Sequence, residues 1–113
     1  MHELSLAELL LPPVLALAEE HGARVTLVVV QAGELQAIVP DSLRLGFASL
    51  AAGTAAEGAE LVVEIVPVTA RCRRCGGEFV VQEHVYVCPA CGVADVETTG
   101  GTDLVLTRVE LED

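Results

Sequence analysis

The sequence has few aromatic residues and no lysine. Its 113 residues include two Phe, one Tyr and no Trp, and its six basic residues, all Arg, face 17 acidic ones. The resulting net charge of −11 repels phosphate backbones and anionic lipid surfaces, and few rings are present on which bases could stack. We therefore expect neither nucleic acid nor a membrane among its partners.

Long apolar runs and a basic leader are also missing. No uninterrupted apolar run reaches 18 residues, and the chain opens on Met-His-Glu without a positively charged segment. These features favour a cytoplasmic protein. With 52% hydrophobic residues, the chain can build an aliphatic core for one ordinary domain, or for a small domain that carries an appendage.

Hydrophobic periodicity predicts an α/β fold. Apolar residues at helical spacing predict a helix from Leu4 to Glu20, in which Pro12-Pro13 should cause a kink or a break. The β-branched run Arg24–Val30 predicts a strand buried on both faces, and Pro40 marks the start of a second helix. Further strands are predicted at residues 35–39, 61–66 and 103–111.

All four cysteines fall in two pairs. Cys72-x2-Cys75 and Cys88-x2-Cys91 are separated by twelve residues. Two such knuckles can complete a tetrahedral shell of four thiolates, which is typical of structural Zn²⁺ and leaves no open position for catalysis. Two disulfides, a redox-active pair and a rubredoxin-type iron centre are the alternatives.

Half of the basic residues adjoin the first cysteine pair. Arg71, Arg73 and Arg74 lie within four positions of one another. Because Zn²⁺ with four thiolates carries a formal charge of −2, we interpret these arginines as compensating it.

The N-terminus offers a second metal site. The free amine of Met1, the backbone nitrogen of His2 and the imidazole of His2 can form fused chelate rings around Ni(II) or Cu(II), and Glu3 can offer a fourth donor. The alternative is that His2 is a surface residue on a frayed terminus. The residue pattern alone leaves both interpretations open.

The other two histidines have simpler interpretations. His21 is interpreted as a residue of the helix C-terminus, where it interacts favourably with the helix dipole, and His84 as a solvated loop residue.

Several motifs extend along nearly the whole chain. They are the opening Met1-His2-Glu3-Leu4-Ser5-Leu6, the turn Gly33-Glu34, the helix start Pro40-Asp41-Ser42-Leu43, Thr54 with Glu57-Gly58-Ala59-Glu60-Leu61, the cysteine pairs with Cys88-Pro89-x-Cys91, and Gly101 before Asp103-Leu104. Together they resemble the HypA/HybF family of hydrogenase maturation nickel metallochaperones.

The resemblance implies a nickel site formed by Met1, His2 and Glu3, separate from a structural zinc site at the four cysteines. It also implies delivery of Ni²⁺ to the precursor of the [NiFe]-hydrogenase large subunit together with a maturation GTPase. Some family members also supply urease. Asp41 loosely matches a further carboxylate near the nickel.

The resulting hypothesis is a nickel metallochaperone without turnover chemistry, since no Ser-His-Asp or paired-carboxylate pattern stands out. Its predicted fold is two helices packed on a small mixed β-sheet, with an inserted zinc ribbon. The predicted domains are residues 1–69 with 100–113, which bind nickel, and residues 70–99, the ribbon. We expect a monomer or a weak homodimer. The alternative function is a zinc-ribbon protein-interaction module with no nickel role.

Overall fold

The structure, a computed structural model, describes residues 2–113, with side chains from residue 3 onward. The elements are α1 (His2–His21), β1 (Arg24–Gly33), a 3₁₀ turn (Glu34–Gln36), α2 (Pro40–Ala51), β2 (Glu60–Val66), β3 (Thr69–Cys72), β4 (Glu78–Val80), β5 (Val96–Gly100) and β6 (Leu104–Glu112). The strands form two three-stranded sheets, ordered β2-β1-β6 and β4-β3-β5. Two helices, small sheets and an inserted cysteine segment confirm the predicted fold class.

The chain divides into two compact units. The helical unit comprises Met1–Gln31, Ile38–Glu64 and Val105–Asp113, and the ribbon unit comprises Ala32–Ala37 and Ile65–Leu104. Within residues 2–113, no helix has both the length and the apolar character that a membrane crossing requires.

Helix α1 is continuous although Pro12 and Pro13 lie near its middle, so the predicted break is wrong. Both prolines are on the exposed side, as are Glu8 and Leu9, whose carbonyls lose their helical donors and can bind water instead. The opposite side of the helix is buried, and this packing outweighs a cost of about 3 kcal/mol per proline. The buried residues are Ala7, Leu10, Leu11, Val14 and Ala18.

Helix α2 begins at Pro40, as predicted, because proline is tolerated where the first helical turn lacks an acceptor for its N–H. Leu43, Phe47 and Ala51 recur at four-residue spacing and are buried on the side of α2 that faces the core. These residues and the buried side of α1 make up much of the core of the helical unit.

Strand β1 is the central strand of its sheet. Val28, Val29 and Val30 are all buried, which confirms the predicted burial on both faces. The Thr26 hydroxyl donates to the carbonyl of Glu110 at 3.2 Å, and the Thr107 hydroxyl donates to the carbonyl of Val29 at 3.2 Å. From the first bond to the second, the residue number rises along β1 and falls along β6. The two strands are therefore antiparallel.

The strand predicted at residues 35–39 is wrong. Glu34–Gln36 is a 3₁₀ turn, and Ala37 closes it in the left-handed region with φ 52°. The turn is fixed inside the ribbon unit, because the Gln36 amide donates to the carbonyl of Thr102 at 2.7 Å. A residue in the left-handed region interrupts an extended strand. The alternation of apolar and polar residues, from which the strand was predicted, does not indicate that Ala37 adopts this conformation.

The sheet of the ribbon unit is built around β3. Its partners in register are Ala70↔Phe79 in β4 and Ala70↔Thr98 in β5, both antiparallel. A small cluster of apolar side chains packs on this sheet. Its buried members are Val68, Ala70 and Val81, and Phe79, Tyr86 and Val96 pack against them.

Gly101 is required by both its conformation and its surroundings. Its φ is +79°, and a Cβ at this position would lie 2.5 Å from Val68 Cα and 2.7 Å from the carbonyl carbon of Pro67.

We expect Gly101→Ala to lower the free energy of unfolding of the ribbon unit by about 2–4 kcal/mol, from the left-handed strain and the overpacking together. Urea denaturation of the metal-loaded protein measures it. Gly58→Ala is the matched control, because Gly58 has φ +81° with open space around it. Equal losses in both variants would contradict the proposed clash.

Candidate metal sites

The four cysteines converge on one point. One Sγ atom from each of them lies within 4.8 Å of all the others, and Cys75 Sγ and Cys88 Sγ are 3.8 Å apart. Thiolates that each lie about 2.3 Å from a tetrahedral Zn²⁺ are separated by about 3.8 Å. All four are free thiols; Cys72 and Cys88 are buried, and Cys75 is exposed. The donor set and its spacing therefore fit a single tetrahedral ion.

Backbone N–H groups point at the sulfur atoms. The Cys75 N–H donates to Cys72 Sγ and the Cys91 N–H donates to Cys88 Sγ, both at 3.4 Å. The Gly77 N–H donates to Cys75 Sγ at 3.4 Å. Such donors stabilise negative charge on sulfur, as expected where thiolates bind a metal.

Glycines give each knuckle its shape. The Gly76 N–H donates to the carbonyl of Cys72 at 2.9 Å, and the Gly92 N–H donates to the carbonyl of Cys88 at 2.8 Å. Both glycines have positive φ, 76° and 72°, which other residues rarely adopt. The sequence signal for this geometry is a glycine directly after each second cysteine.

The thiols of the cluster affect each other's protonation. The backbone N–H of Cys75 lowers the pKa of Cys72 to about 7. The Cys75 thiol, together with burial, raises the pKa of Cys91 to about 12. Cys72 and Cys91 therefore do not ionise together near neutral pH, and a divalent cation at the centre of the cluster would supply positive charge that favours thiolates.

The arginines near the first cysteine pair have carboxylate partners. Arg71 pairs with Glu97 at 2.7 Å across β3 and β5, and Arg73 pairs with Asp95 at 3.0 Å. The Arg71 guanidinium lowers the pKa of Glu97 through its hydrogen bond and its charge. Arg71 and Arg73 thus bind carboxylates, and the interpretation that Arg71, Arg73 and Arg74 compensate the charge of the thiolates stays a prediction. Runs of charge in the sequence do not identify such partners, which lie more than twenty residues away.

His84 lies in a strained two-residue turn. Glu83 and His84 have φ 53° and 62°, and the Val85 N–H donates to the carbonyl of Gln82 at 2.9 Å. Both turn residues are exposed, as predicted for His84, and His21 lies in the last turn of α1, also as predicted.

We expect the double change Glu83→Asn with His84→Gly to stabilise the ribbon unit by about 1–2 kcal/mol. Asn-Gly occupies two successive positive-φ positions with less strain than Glu-His. Thermal unfolding of the metal-loaded protein measures the gain. The same pair of residues placed at Glu19 and Glu20, inside α1, is the control and should destabilise the protein, because glycine disfavours a helix. An unchanged unfolding temperature in the turn variant would contradict the assigned strain.

The predicted nickel residues are only partly described. Met1 and the His2 side chain lie outside the described residues, and Glu3 is half-buried in the first turn of α1. The Val39 N–H donates to Glu3 Oε2 at 3.2 Å. The Asp41 carboxylate forms an ion pair with Arg44 at 2.5 Å, and its side chain is 94% exposed. The sequence pattern gave no sign of the Glu3–Val39 bond, which joins residues 36 positions apart.

The fold and the cysteine cluster define a class of protein: a small two-unit α/β protein whose ribbon unit brings four thiols together for one metal ion. A family model described as "Hydrogenase/urease nickel incorporation, metallochaperone, hypA" matches residues 1–111. The chain belongs to this family, the HypA nickel metallochaperones, which take part in the incorporation of nickel into hydrogenase. The predicted resemblance is confirmed.

Individual relatives agree with this assignment. The chain is 40% identical over 114 residues to a hydrogenase maturation factor HypA of Desulfitobacterium hafniense, with 100% of both chains covered. It is 38% identical to that of Aquifex aeolicus, with 99% of this chain and 98% of the relative covered. A solution structure of a HypA protein matches with a TM-score of 0.69 at 25% identity, covering 99% of this chain and 97% of the other. The fold also matches that of the Ni metallochaperone HypA from Helicobacter pylori, with a TM-score of 0.68 at 24% identity and coverage of 98% and 97%.

Proposed function

We propose that the protein binds Ni(II) at its N-terminus and delivers it to [NiFe]-hydrogenase during maturation. The observation that carries the proposal is the family match across residues 1–111, which includes the Met-His-Glu start. The donors are the Met1 amine, the backbone nitrogen and imidazole of His2, and a group of Glu3. Deprotonated amides with imidazole favour square-planar Ni(II).

The second part of the proposal is that Cys72, Cys75, Cys88 and Cys91 bind a structural Zn²⁺. The spacing of the sulfur atoms and the backbone N–H groups that point at them support this assignment. When bound, the ion would cross-link two chain segments that otherwise share a small core, with an apparent binding free energy of about 10–16 kcal/mol. The proposed ribbon domain is residues 70–99, and residues 1–69 with 100–113 form the nickel-binding domain.

The proposed partners follow from the role in delivery. A maturation GTPase and the precursor of the hydrogenase large subunit receive or assist the transfer, and the chain acts without catalytic turnover. Four free cysteines suit the reducing cytoplasm, where we place the protein. The proposed oligomeric state is a monomer or a weak homodimer.

The test is a transfer experiment in a hydrogenase-producing cell that lacks its own gene for this factor. We expect the native chain to restore hydrogenase activity at low external nickel, and a chain with one residue added before Met1 to fail, because the terminal amine is lost as a ligand. Urease activity in the same strain tests the second recipient that the family description names. Restoration by the extended chain as well as by the native chain would contradict the proposed site.

The alternative is a zinc-ribbon interaction module without a nickel role. The match extends through both helices and nearly the whole helical unit, which such a module does not require, so this alternative is not favoured.

A further inference from the structure

A hydrogen bond joins the first turn of α1 to the start of α2. Val39 is the N-cap residue of α2, and its backbone N–H donates to Glu3 Oε2 at 3.2 Å. Negative charge near a helix N-terminus is stabilised by the positive end of the helix dipole. The Glu3 carboxylate is therefore held by a directed bond and by the charge of the helix end.

Helix α2 lacks a local residue for this role. In a capping box, a Glu or Gln three positions after the N-cap accepts a hydrogen bond from the N-cap N–H. Here that position is Ser42, and no side-chain cap bond forms within α2 itself. Glu3, supplied by another helix, takes the place of the missing capping-box glutamate.

A second close approach joins the first turn of α1 to the second turn of α2. A Cβ built on Gly46 of α2 would lie 3.5 Å from Leu4 Cδ1 and 3.7 Å from Leu4 Cα. The backbone of α1 at Leu4, the residue after Glu3, thus passes close to Gly46 of α2. Ala7, one turn further along α1, is fully buried. Ala7 is fixed by packing and Leu4 lies against α2 at Gly46, although its side chain is exposed. The Glu3 bond extends this contact between the helices to the residue that follows His2.

Preorganisation is valuable at a chain terminus. Ordering one backbone residue costs about 1–2 kcal/mol, and a chelate that closes on Met1, His2 and Glu3 must order the terminus each time nickel binds. An interaction that already holds the first turn removes part of this cost from binding. The first N–H groups of a helix also have no acceptor within it, so helical structure at His2 leaves its backbone nitrogen available to a metal.

We propose that Glu3 is a positioning residue for nickel: its carboxylate binds the Val39 N–H and holds the first turn of α1 against α2, and it does not coordinate the ion. The proposal rests on the proposed N-terminal nickel site. The Glu3 backbone nitrogen remains available as a ligand, since no side-chain substitution removes it.

Three variants of the full-length, metal-loaded protein with its native N-terminus test the proposal. Glu3→Ala removes the acceptor, Glu3→Gln keeps an oxygen acceptor at the same reach without the charge, and Glu8→Ala removes one negative charge from an exposed position of the same helix. The measurements are Ni(II) affinity by titration, the visible absorption of bound Ni(II), and hydrogen exchange of the Val39 amide by NMR.

We expect Glu3→Ala to weaken nickel binding about tenfold, which corresponds to 1.4 kcal/mol, with an unchanged visible spectrum and faster exchange at Val39. Glu3→Gln should stay within about threefold of the native affinity and keep the Val39 amide protected. Glu8→Ala should match the native chain in all three measurements.

Two results would overturn the positioning role. One is a shifted Ni(II) spectrum in both Glu3 variants, which would make the carboxylate a ligand. The other is an affinity of Glu3→Ala equal to that of Glu8→Ala. Failure of the proposed function looks different, because the native chain would then bind no Ni(II) at its terminus and a His2→Ala variant would behave like it.

Discussion

Replacing Cys88 by Ser should weaken zinc binding by about 100- to 1000-fold and leave the ribbon unit unfolded at ordinary zinc concentrations. Four thiolates together contribute about 10–16 kcal/mol of apparent binding free energy, so one of them is worth about 2.5–4 kcal/mol. Cys88 is buried, and its Sγ accepts a hydrogen bond from the Cys91 N–H. The serine variant therefore also loses this N–H···S hydrogen bond within the second cysteine pair. Zinc competition with a chromophoric chelator measures the affinity, and NMR chemical-shift dispersion measures the fold.

The ribbon unit should unfold without loss of the helices. Its own apolar cluster has three buried members, Val68, Ala70 and Val81, too few to order the segment without a metal. Circular dichroism at 222 nm should therefore keep most of its helical signal. Ala90→Ser, which places a hydroxyl between the two cysteines of the same knuckle at an exposed position, is the matched control and should bind zinc normally. A chelator-treated native chain that retains the dispersed signals of residues 65–104 would refute the structural role of zinc.

Replacing His2 by Ala should lower the affinity for Ni(II) by more than about 100-fold, or 2.7 kcal/mol, and abolish the square-planar absorption band. The imidazole is the side-chain donor of the proposed chelate, and its loss leaves only the terminal amine and backbone nitrogens. Titration with Ni(II) of the zinc-loaded protein, followed in the visible region, measures both quantities.

His21→Ala is the matched control for this change. His21 is an exposed histidine at the opposite end of the same helix, so its loss removes an imidazole without touching the N-terminus. We expect native affinity and a native spectrum from it. Nickel binding by the His2 variant that equals binding by the His21 variant would eliminate the N-terminal chelate and favour the interaction module.

The sequence predicted most of the elements because their causes are local. Pro40 predicts where α2 begins, and the four-residue spacing of Leu43 and Phe47 predicts which side of α2 is buried. The spacing within and between the two cysteine pairs predicts the cysteine cluster. The failures have non-local causes. Pro12 and Pro13 interrupt local hydrogen bonds, yet tertiary packing of the opposite face keeps α1 whole.

The candidate sites divide in the same way. The cysteines were recognisable as metal ligands, because two C-x2-C pairs at this spacing have few other common uses. His2 was open to two interpretations from its position alone, and the family resemblance favoured the nickel site. The contacts that support these residues were not recognisable. Glu3 was predicted as a nickel-site residue, but its hydrogen bond with the Val39 N–H was not, because that bond joins distant segments of the chain. Arg71 contacts Glu97 for the same reason, and nothing in the sequence distinguishes Glu97 among the 17 acidic residues.

The register of β3 and β5 has a consequence for how the chain closes on itself. Thr69 and Gly100 are partners across the two strands, so roughly thirty residues leave and return at one place. Bringing the ends of a loop of that length together costs about 3 kcal/mol of chain entropy. In the folded ribbon unit Thr69 and Gly100 are already neighbours. We therefore expect β6 to pair with β1 without a further loop-closure cost once the inserted segment has folded.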